Sequence, residues 1–183
     1  METTNATATG TKWVIDAAHS ELVFKVKHLM ISSVKGNFKS FRGEVKGEDF
    51  TQSPVELFID TASITTHDDA RDNHLRSADF FEAEQYPVIH FISTSLEKKS
   101  NEEYVLKGML DMHGIRKEVT LDVEFGGIAK DPWGNEKAGF SVNGKINRKD
   151  WGLNWNAALE AGGVLVSEDV RIQAEIQLLK QGA

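Results

Sequence analysis

The residues best suited to chemistry are concentrated in one stretch, TTHDDARDNHLRSADFF, at positions 65–81. Imidazole and carboxylate groups bind divalent metals, and the same groups act as acids and bases in hydrolases. His67, Asp68, Asp72 and His74 therefore raise the hypothesis of a metal centre. Side chains about three or four residues apart share one face of a helix. This spacing pairs Asp68 with Asp72 but brings no two histidines together.

The same stretch contains the best helical window of the chain. A helix is predicted over 68–78, with Thr66 or Asp68 as its N-cap and acids in its first turn, where the helix dipole favours negative charge. The charged side chains are expected to face water. The apolar side chains in and after this helix are expected to pack inward: Leu75, Phe80 and Phe81. This interpretation is favoured over a metal site.

Two hydrolase hypotheses are weaker. The segment DAAHS at 16–20 combines Asp, His and Ser, but triads form by spatial geometry and the sequence has no G-x-S-x-G elbow. A turn that leads into the next strand explains it equally well. The second hypothesis is a metal-dependent or other hydrolase that uses His28, Asp72 and His74. His28 ends an apolar strand face and also suits a structural role.

Composition limits the classes of partner. The chain has 183 residues, a net charge of -7 and no cysteine. The absence of cysteine excludes disulfides and Cys-ligated zinc, and we expect no structural metal and no cofactor. The negative net charge argues against nucleic acid and against anionic membrane surfaces. Neutral or apolar molecules are the expected ligands.

The sequence shows neither a membrane-spanning segment nor a signal peptide. The sequence has no run of about 20 apolar residues, so no integral membrane segment is expected. Its start, METTNATATGTK, lacks the features of a signal peptide. If Met1 is the natural start, a cytoplasmic location is expected, with a periplasmic location as the alternative. The sequence leaves open whether two copies form a homodimer.

The elements that position these residues are mostly strands. From Lys12 onward, apolar and polar residues alternate with a period of two, as in ELVFKVKH at 21–28. Strands are predicted at 21–28, 38–47, 54–64, 86–96, 103–113, 119–125, 139–148 and 170–178. Short turns between them favour antiparallel neighbours. We expect a flexible segment at 1–11 and a single domain at 12–183.

These strands each have one apolar face, and a lone helix cannot cover the sheet that they form. Closure into a barrel of about eight strands removes exposed edges and buries every apolar face. A two-sheet sandwich is the alternative. The predicted fold is therefore all-β.

Several motifs resemble the YceI-like polyisoprenoid-binding family. They are DAAHSELVFKVKH at 16–28, VKGNF at 34–38, DTASITTHDDARDNHLRSADFFEAEQYPVIHF at 60–91, LKGMLDMHGIRKEVTL at 106–121, GFSVNGKINRKDWGL at 139–153 and SEDVRIQAEI at 167–176. The resemblance implies an antiparallel, lipocalin-like extended barrel that binds a polyprenyl or quinone-like lipid in an apolar channel. It implies a carrier or storage protein and not an enzyme.

The residues expected to contact this isoprenoid lipid come from inward strand faces and from the segments that cover the barrel ends. They are Phe24, Val26, His28, Leu75, Phe80, Phe81, Phe91, Leu110, Val123, Val142, Trp155, Ile172 and Ala174. Small inward residues, Gly108, Gly144 and Ala174, are expected to leave room for the lipid. The NRKDWGLNW segment at 147–155 suits either a ligand-holding rim or a plug.

Two further expectations concern the lipid head group and the interior of the barrel. The acids Asp68, Asp69 and Asp72 favour a neutral lipid head group over a diphosphate, because they would repel an anion. A barrel with a filled core, serving as a stress-response or interaction module, is the non-enzymatic alternative to lipid binding.

Overall fold

A computed structural model describes residues 10–157 and 165–182. Within these ranges the chain forms eleven β-strand segments and one α-helix. They are β1 (Lys12–Ile15), β2 (Glu21–His28), β3 (Ser32–Phe38), β4 (Phe41–Lys46), β5 (Val55–Asp60), β6 (Ile64–Thr65), α1 (Asp69–Arg76), β7 (Val88–Lys98), β8 (Glu103–Met112), β9 (Ile115–Lys130), β10 (Glu136–Asn147) and β11 (Asp169–Gln181). Short 3-10 turns span Ala17–His19, Thr61–Ser63 and Arg148–Trp151.

The segments form one closed antiparallel barrel. β1 and β2 follow each other along one strand path, since both pair with β11. β3 pairs with β2 and β4 pairs with β1, so β3 and β4 form the next strand path. β6 pairs with β3 and β5 pairs with β4, so β5 and β6 form the path after it. The eleven segments therefore make eight consecutive strands. Pairing of β11 with β1 and β2 closes the ring, which confirms the predicted eight-stranded barrel over the two-sheet sandwich.

The strand predictions identify all eight strand paths, and their largest omissions are in three of them. β1 and most of β3 were not predicted, and β9 is longer than the predicted 119–125. The sequence of β3, SSVKGNF, has few apolar residues to alternate. In β9, Gly126 and Gly127 interrupt the alternation near the register shift opposite Gly139. Of the predicted N-terminal segment, residues 1–9 lie outside the described ranges.

α1 is shorter than the predicted 68–78. The Asp68 side chain caps it by accepting a hydrogen bond of 2.9 Å from the Arg71 amide. Thr66, the other predicted cap, does not have this role. The helix ends at Arg76 because the amide and hydroxyl of Ser77 both donate to the His74 carbonyl.

The two ends of the barrel differ. At the end away from α1, which we call the aromatic end, Phe50 packs on Trp13, Phe125 and Phe140 with ring centroids 5.1–5.8 Å apart. Trp13 Nε1 also donates to the carbonyl of Glu48 at 2.9 Å, in the same loop as Phe50. The loop between β4 and β5 therefore closes this end with aromatic side chains.

At the other end, the β2–β3 hairpin turns through two residues with positive φ. Leu29 has φ 55° and Met30 has φ 62°, and the Ile31 amide donates to the His28 carbonyl at 3.3 Å. Turns of this kind favour Gly, Asn and Asp. An ordinary side chain in this conformation costs about 1–2 kcal/mol. Leu29 and Met30 are therefore poorly suited to the turn that they form.

Candidate functional site

A cavity of about 630 Å³ occupies the interior of the barrel. Its wall consists mainly of the inward-facing apolar side chains of the strands, whose alternation put one apolar face on the inside. A volume of this size is within the range of about 300–1,000 Å³ that is typical of small-molecule sites. The barrel is therefore not filled by its own side chains.

All the residues that sequence analysis assigned to ligand contact lie in the cavity wall. They are Phe24, Val26, His28, Leu75, Phe80, Phe81, Phe91, Leu110, Val123, Val142, Trp155, Ile172 and Ala174. Their contact with a ligand stays a prediction. For the strand residues among them, alternation determines this placement, because residues two apart face the same side. Leu75, Phe80, Phe81 and Trp155 belong to α1 and to the segments that follow α1 and β10.

The polar side chains of the wall belong to one end of the barrel, which we call the polar end. They are His28, Thr66, Arg71, His74 and Arg148. These residues lie where β2 and β10 end and where α1 covers the barrel. Arg71 is exposed to solvent although it lines the cavity, so this end communicates with water. The site combines a long apolar interior with a polar entrance.

An aromatic cluster connects α1 with the segment after β10. The ring of His74 lies edge-on to Phe80 and Trp155, with centroids 5.1 and 4.7 Å away, and Phe80 and Trp155 are 5.3 Å apart. His74 Nε2 is 2.9 Å from Asp79 Oδ2. The cluster holds α1 against the 147–155 segment and forms part of the cavity wall.

Asp72, a buried residue in the first turn of α1, ties the start of the helix to Thr66. Its carboxylate accepts hydrogen bonds from the amide and hydroxyl of Thr66, at 2.7 and 2.6 Å. Burial alone would raise the pKa of Asp72, but the hydrogen bonds from Thr66 and Thr65 and the charge of Arg76 together outweigh it, so the pKa lies below its usual range. Asp72 is therefore an ionised structural group.

Arg71 is held in place by the same threonine. Its Nε donates to Thr66 Oγ1 at 2.7 Å and its Nη2 donates to the Thr66 carbonyl at 2.9 Å. Within the described ranges, Nη1 makes no hydrogen bond. The expectation that the charged residues of this stretch face water is wrong for Asp72, which is 4% exposed, whereas Arg71 is exposed and also lines the cavity. A positioned guanidinium lines the polar end.

The premise for a neutral head group also fails. Asp68 caps α1 and Asp72 bonds to Thr66, while Asp69 is exposed. None of these three acids lines the cavity, whereas Arg71 and His74 do. A head group at the polar end would therefore meet the guanidinium of Arg71 and none of these three carboxylates.

Arg148 is a buried cation bound by backbone carbonyls. It is 4% exposed and donates to the carbonyls of Leu153, Trp155, Val166 and Ser167 at 2.6–3.3 Å. Burial lowers its pKa and the charge of Glu168 raises it in part, so the net pKa lies below the usual value. Since arginine keeps its charge at neutral pH, these carbonyls must stay in place.

The NRKDWGLNW segment contributes both to the packed core and to the cavity wall, while its contact with a ligand stays a prediction. Trp151 is 2% exposed, and its Nε1 donates to the Leu110 carbonyl at 3.0 Å, so it plugs the core. Trp155 lines the cavity beside His74. One tryptophan supports the barrel end, and the other forms its rim.

Two glycines that were expected to leave room are covered by neighbouring side chains. A Cβ on Gly108 would lie 2.5 Å from Phe91 Cζ, and one on Gly144 would meet the Leu121 side chain. The expectation that these two glycines open the cavity is therefore wrong. Ala174, by contrast, does line the cavity.

The segment 16–20 does not form a hydrolase triad. Asp16 Oδ2 is 2.8 Å from His19 Nδ1 and 3.0 Å from Lys137 Nζ. The Ser20 hydroxyl donates to the Asp16 carbonyl at 2.7 Å and not to the imidazole of His19. The predicted turn explains this arrangement.

The second hydrolase hypothesis is not supported by the contacts either. Asp72 bonds to Thr66, and His74 pairs with Asp79 instead of Asp72. Among the described residues, no three or more His, Asp or Glu side chains are grouped to hold a metal ion. His28 lines the cavity without a side-chain hydrogen bond in the described chain.

Sequence reasoning missed several wall residues outside the predicted strands. Phe50 belongs to a polar loop, and Leu165 and Val166 precede β11. An isolated apolar residue in a loop gives no periodic signal. One signal was available for Phe50: it is a large aromatic residue in the polar loop GEDFTQSP, where it would be exposed unless it packed inward.

Across 10–157 and 165–182, no helix has the length and apolar character needed to cross a membrane.

Comparison with known proteins supports these structural findings. Residues 13–178 match the model of the YceI-like domain. The UPF0312 protein SAB2563 of Staphylococcus aureus (strain bovine RF122 / ET3-1) is 44% identical over 170 residues, which cover 91% of this chain and 96% of that protein.

Solved structures show the same fold. The YceI protein of Campylobacter jejuni is 37% identical with a TM-score of 0.71, covering 84% of this chain and 88% of that one. A polyisoprenoid binding domain from Saccharophagus degradans is 18% identical with a TM-score of 0.62, covering 93% of this chain and 98% of that one. The sequence motifs, the closed barrel and these matches together show that the chain belongs to the YceI-like family.

Proposed function

We propose that this protein binds a long-chain isoprenoid lipid in its cavity and acts as a carrier or storage protein. The observation that carries the proposal is an apolar cavity of about 630 Å³ whose polar wall residues all lie at one end. An isoprenoid has this same polarity, with a long apolar chain and one polar end. The chain would occupy the interior, and its head group would lie at the polar end.

The energetics are consistent with an apolar ligand of this length. A buried methylene contributes about 0.8 kcal/mol, so about ten of them supply about 8 kcal/mol. This is comparable to the association cost of about 4–15 kcal/mol. A chain of several isoprene units therefore binds without a strong polar contact. The polyisoprenoid binding domain from Saccharophagus degradans, which shares the fold, supports the same class of ligand.

The head group is proposed to interact with Arg71. Two of its guanidinium nitrogens bond to Thr66, which leaves Nη1 available at a residue that lines the cavity. Arginine forms short, charge-assisted hydrogen bonds with phosphate and with other oxygen acceptors. This replaces the sequence-based preference for a neutral head group with a preference for an anionic one, such as a polyprenyl phosphate.

A binding role is favoured over the enzymatic alternative. A hydrolase needs a base within hydrogen-bond reach of a nucleophile or of a bound water. The described contacts of His74 and Asp72 are instead with Asp79 and Thr66. The third alternative, a filled barrel, does not account for the cavity.

The test is analysis of bound lipid. Protein purified without detergent is extracted with organic solvent, and the extract is compared by mass spectrometry with that of an Ala174→Trp variant purified in parallel. We expect an isoprenoid lipid, equimolar with the wild-type protein, that the variant lacks. Wild-type protein that carries no such lipid and takes up no added polyprenol would refute the proposal.

A further inference from the structure

The tip of the β2–β3 hairpin exposes three consecutive apolar residues. Leu29, Met30 and Ile31 are 39%, 54% and 85% exposed. Soluble proteins seldom place such a run on the surface without a function. Leu29 and Met30 also occupy a turn that favours Gly, Asn or Asp. Neither folding nor solubility explains this choice of residues.

The hairpin is basic although the protein is acidic. Residues 22–43 include Lys25, Lys27, Lys35 and Lys39 but no Asp or Glu, whereas the whole chain has a net charge of -7. The local charge is therefore opposite to the net charge. The negative net charge, which disfavours binding to anionic surfaces, is therefore not the charge that such a surface would meet at this hairpin.

The cations continue across neighbouring strands as a row that we call the basic ladder. Lys145 of β10 pairs with Arg171 of β11, Arg171 pairs with Lys25 of β2, and Lys25 pairs with Lys35 of β3. Like charges directly opposite each other destabilise a sheet. In the described chain, the nearest carboxylate partner of the ladder is Asp169, 3.9 Å from Lys145 Nζ.

The tip is continuous with the wall of the cavity. The Leu29 amide donates to the Leu165 carbonyl at 2.9 Å, and His28 forms a β-bridge with Val166. His28, Leu165 and Val166 all line the cavity. The exposed apolar tip therefore lies at the polar end, beside the entrance that the lipid would use.

We propose that the tip and the basic ladder dock the polar end of the barrel onto a bilayer that contains anionic phospholipids. The apolar tip enters the head-group region, and the ladder contacts lipid phosphates. Apolar side chains flanked by lysine and arginine are the combination that binds membrane interfaces. A nucleic acid would use the cations but not the exposed tip. The proposal extends the proposed function, because docking places the cavity entrance at the source of its ligand.

The experiment measures sedimentation of the full chain with vesicles of phosphatidylcholine containing about 30% phosphatidylglycerol, and with phosphatidylcholine alone. Met30→Asn with Ile31→Thr removes apolar surface and gives the turn a residue that accepts positive φ. This variant should reduce the partition coefficient at least about tenfold. Lys25→Gln with Lys35→Gln should reduce it about 25-fold, since each of the two cations contributes about fivefold.

Matched controls change the aromatic end. Trp133→Ser removes a side chain that is 83% exposed, and Lys98→Gln with Lys99→Gln removes two exposed lysines. These variants should bind vesicles as the wild type does. Docking is refuted if the wild type does not bind anionic vesicles, if tip and control variants bind equally, or if a DNA duplex competes all protein off the vesicles.

Bound lipid is measured on the same samples, which separates the two proposals. Tip and ladder variants that keep their isoprenoid lipid but lose vesicle binding support docking. Failure of the wild type to carry or take up isoprenoid lipid refutes the proposed function, whether or not vesicles bind. Vesicle binding without a preference for phosphatidylglycerol overturns the role of the basic ladder.

Discussion

The ring of Phe24 covers the Cα of Gly36, the residue directly opposite it on the neighbouring strand. A Cβ on Gly36 would collide with three atoms of this ring. Gly36 has no positive φ, so the close approach of the ring, and not backbone freedom, requires glycine. Because Phe24 lines the cavity, the Phe24–Gly36 pair sets both the packing of this sheet and the local width of the cavity.

Gly36→Ala is therefore expected to push Phe24 into the cavity. Inserting one methyl group where packing is tight costs about 1–3 kcal/mol. Because the ring atoms in the way are the far end of a side chain that borders the cavity, we expect a value near the lower limit. We expect urea unfolding to show this loss, together with weaker retention of lipid. Gly139→Ala is the control, since a Cβ there has no neighbour within 4 Å. It should leave stability unchanged or raise it by up to about 1 kcal/mol. Equal stability of the two variants would contradict this prediction.

Asp72→Asn should change how stability depends on pH. The folded pKa of Asp72 lies below the unfolded value, so its stabilisation is present above an ordinary pKa of about 3.9 and is lost as pH falls through the folded pKa. At pH 7 we expect Asn to cost about 1–2 kcal/mol, because it accepts weaker hydrogen bonds from Thr66.

Urea unfolding between pH 7 and pH 2 measures this difference, which should shrink as the pH falls. Asp69→Asn, in the same first turn but exposed, is the control and should cost at most about 0.5 kcal/mol. A constant difference between wild type and Asp72→Asn at every pH would show that the charge of Asp72 has no role.

Arg148→Lys keeps the charge but loses the geometry of the guanidinium. Lysine cannot reach four carbonyls from one position, so buried carbonyls are left without donors. We expect a loss of about 3 kcal/mol or more in the free energy of unfolding. Lys149→Gln, which removes an exposed ion pair with Glu168, should cost less than about 1 kcal/mol. Similar losses for both variants would contradict the structural role of Arg148.

The barrel and most of its cavity wall were predictable because strand alternation is a local property. Residues such as Phe24 and Val26 face inward by the period of two alone. The orientation of the Arg71 side chain was not predictable, because it depends on hydrogen bonds from the guanidinium to Thr66, which precedes α1. Two of the four carbonyl partners of Arg148, those of Val166 and Ser167, belong to the segment before β11, which meets Arg148 only after the barrel closes. No spacing in the sequence indicates such contacts.

Arg71→Gln should alter the preference between head groups. If Nη1 of Arg71 binds an anionic head group, the variant should bind a polyprenyl phosphate about tenfold more weakly, with little change for the alcohol of the same chain length. Competition against a fluorescent polyprenyl probe measures both affinities. Arg116→Gln, at an exposed residue outside the cavity wall, is the control. Equal loss for phosphate and alcohol would assign Arg71 a structural role only.

Ala174→Trp tests whether the interior is a binding channel. Ala174 lines the cavity between its strand partners Leu22 and Val142. In a packed core, added bulk costs about 1–3 kcal/mol, whereas here the indole ring occupies volume that the lipid would fill. We therefore expect loss of bound lipid, with lipid-free stability changed by less than about 1 kcal/mol. Ala174→Ser controls for a small change, and Ile172→Trp, another wall position, repeats the test if the first variant folds poorly. A destabilised variant that still carries lipid would place Ala174 in packed core and move the channel elsewhere.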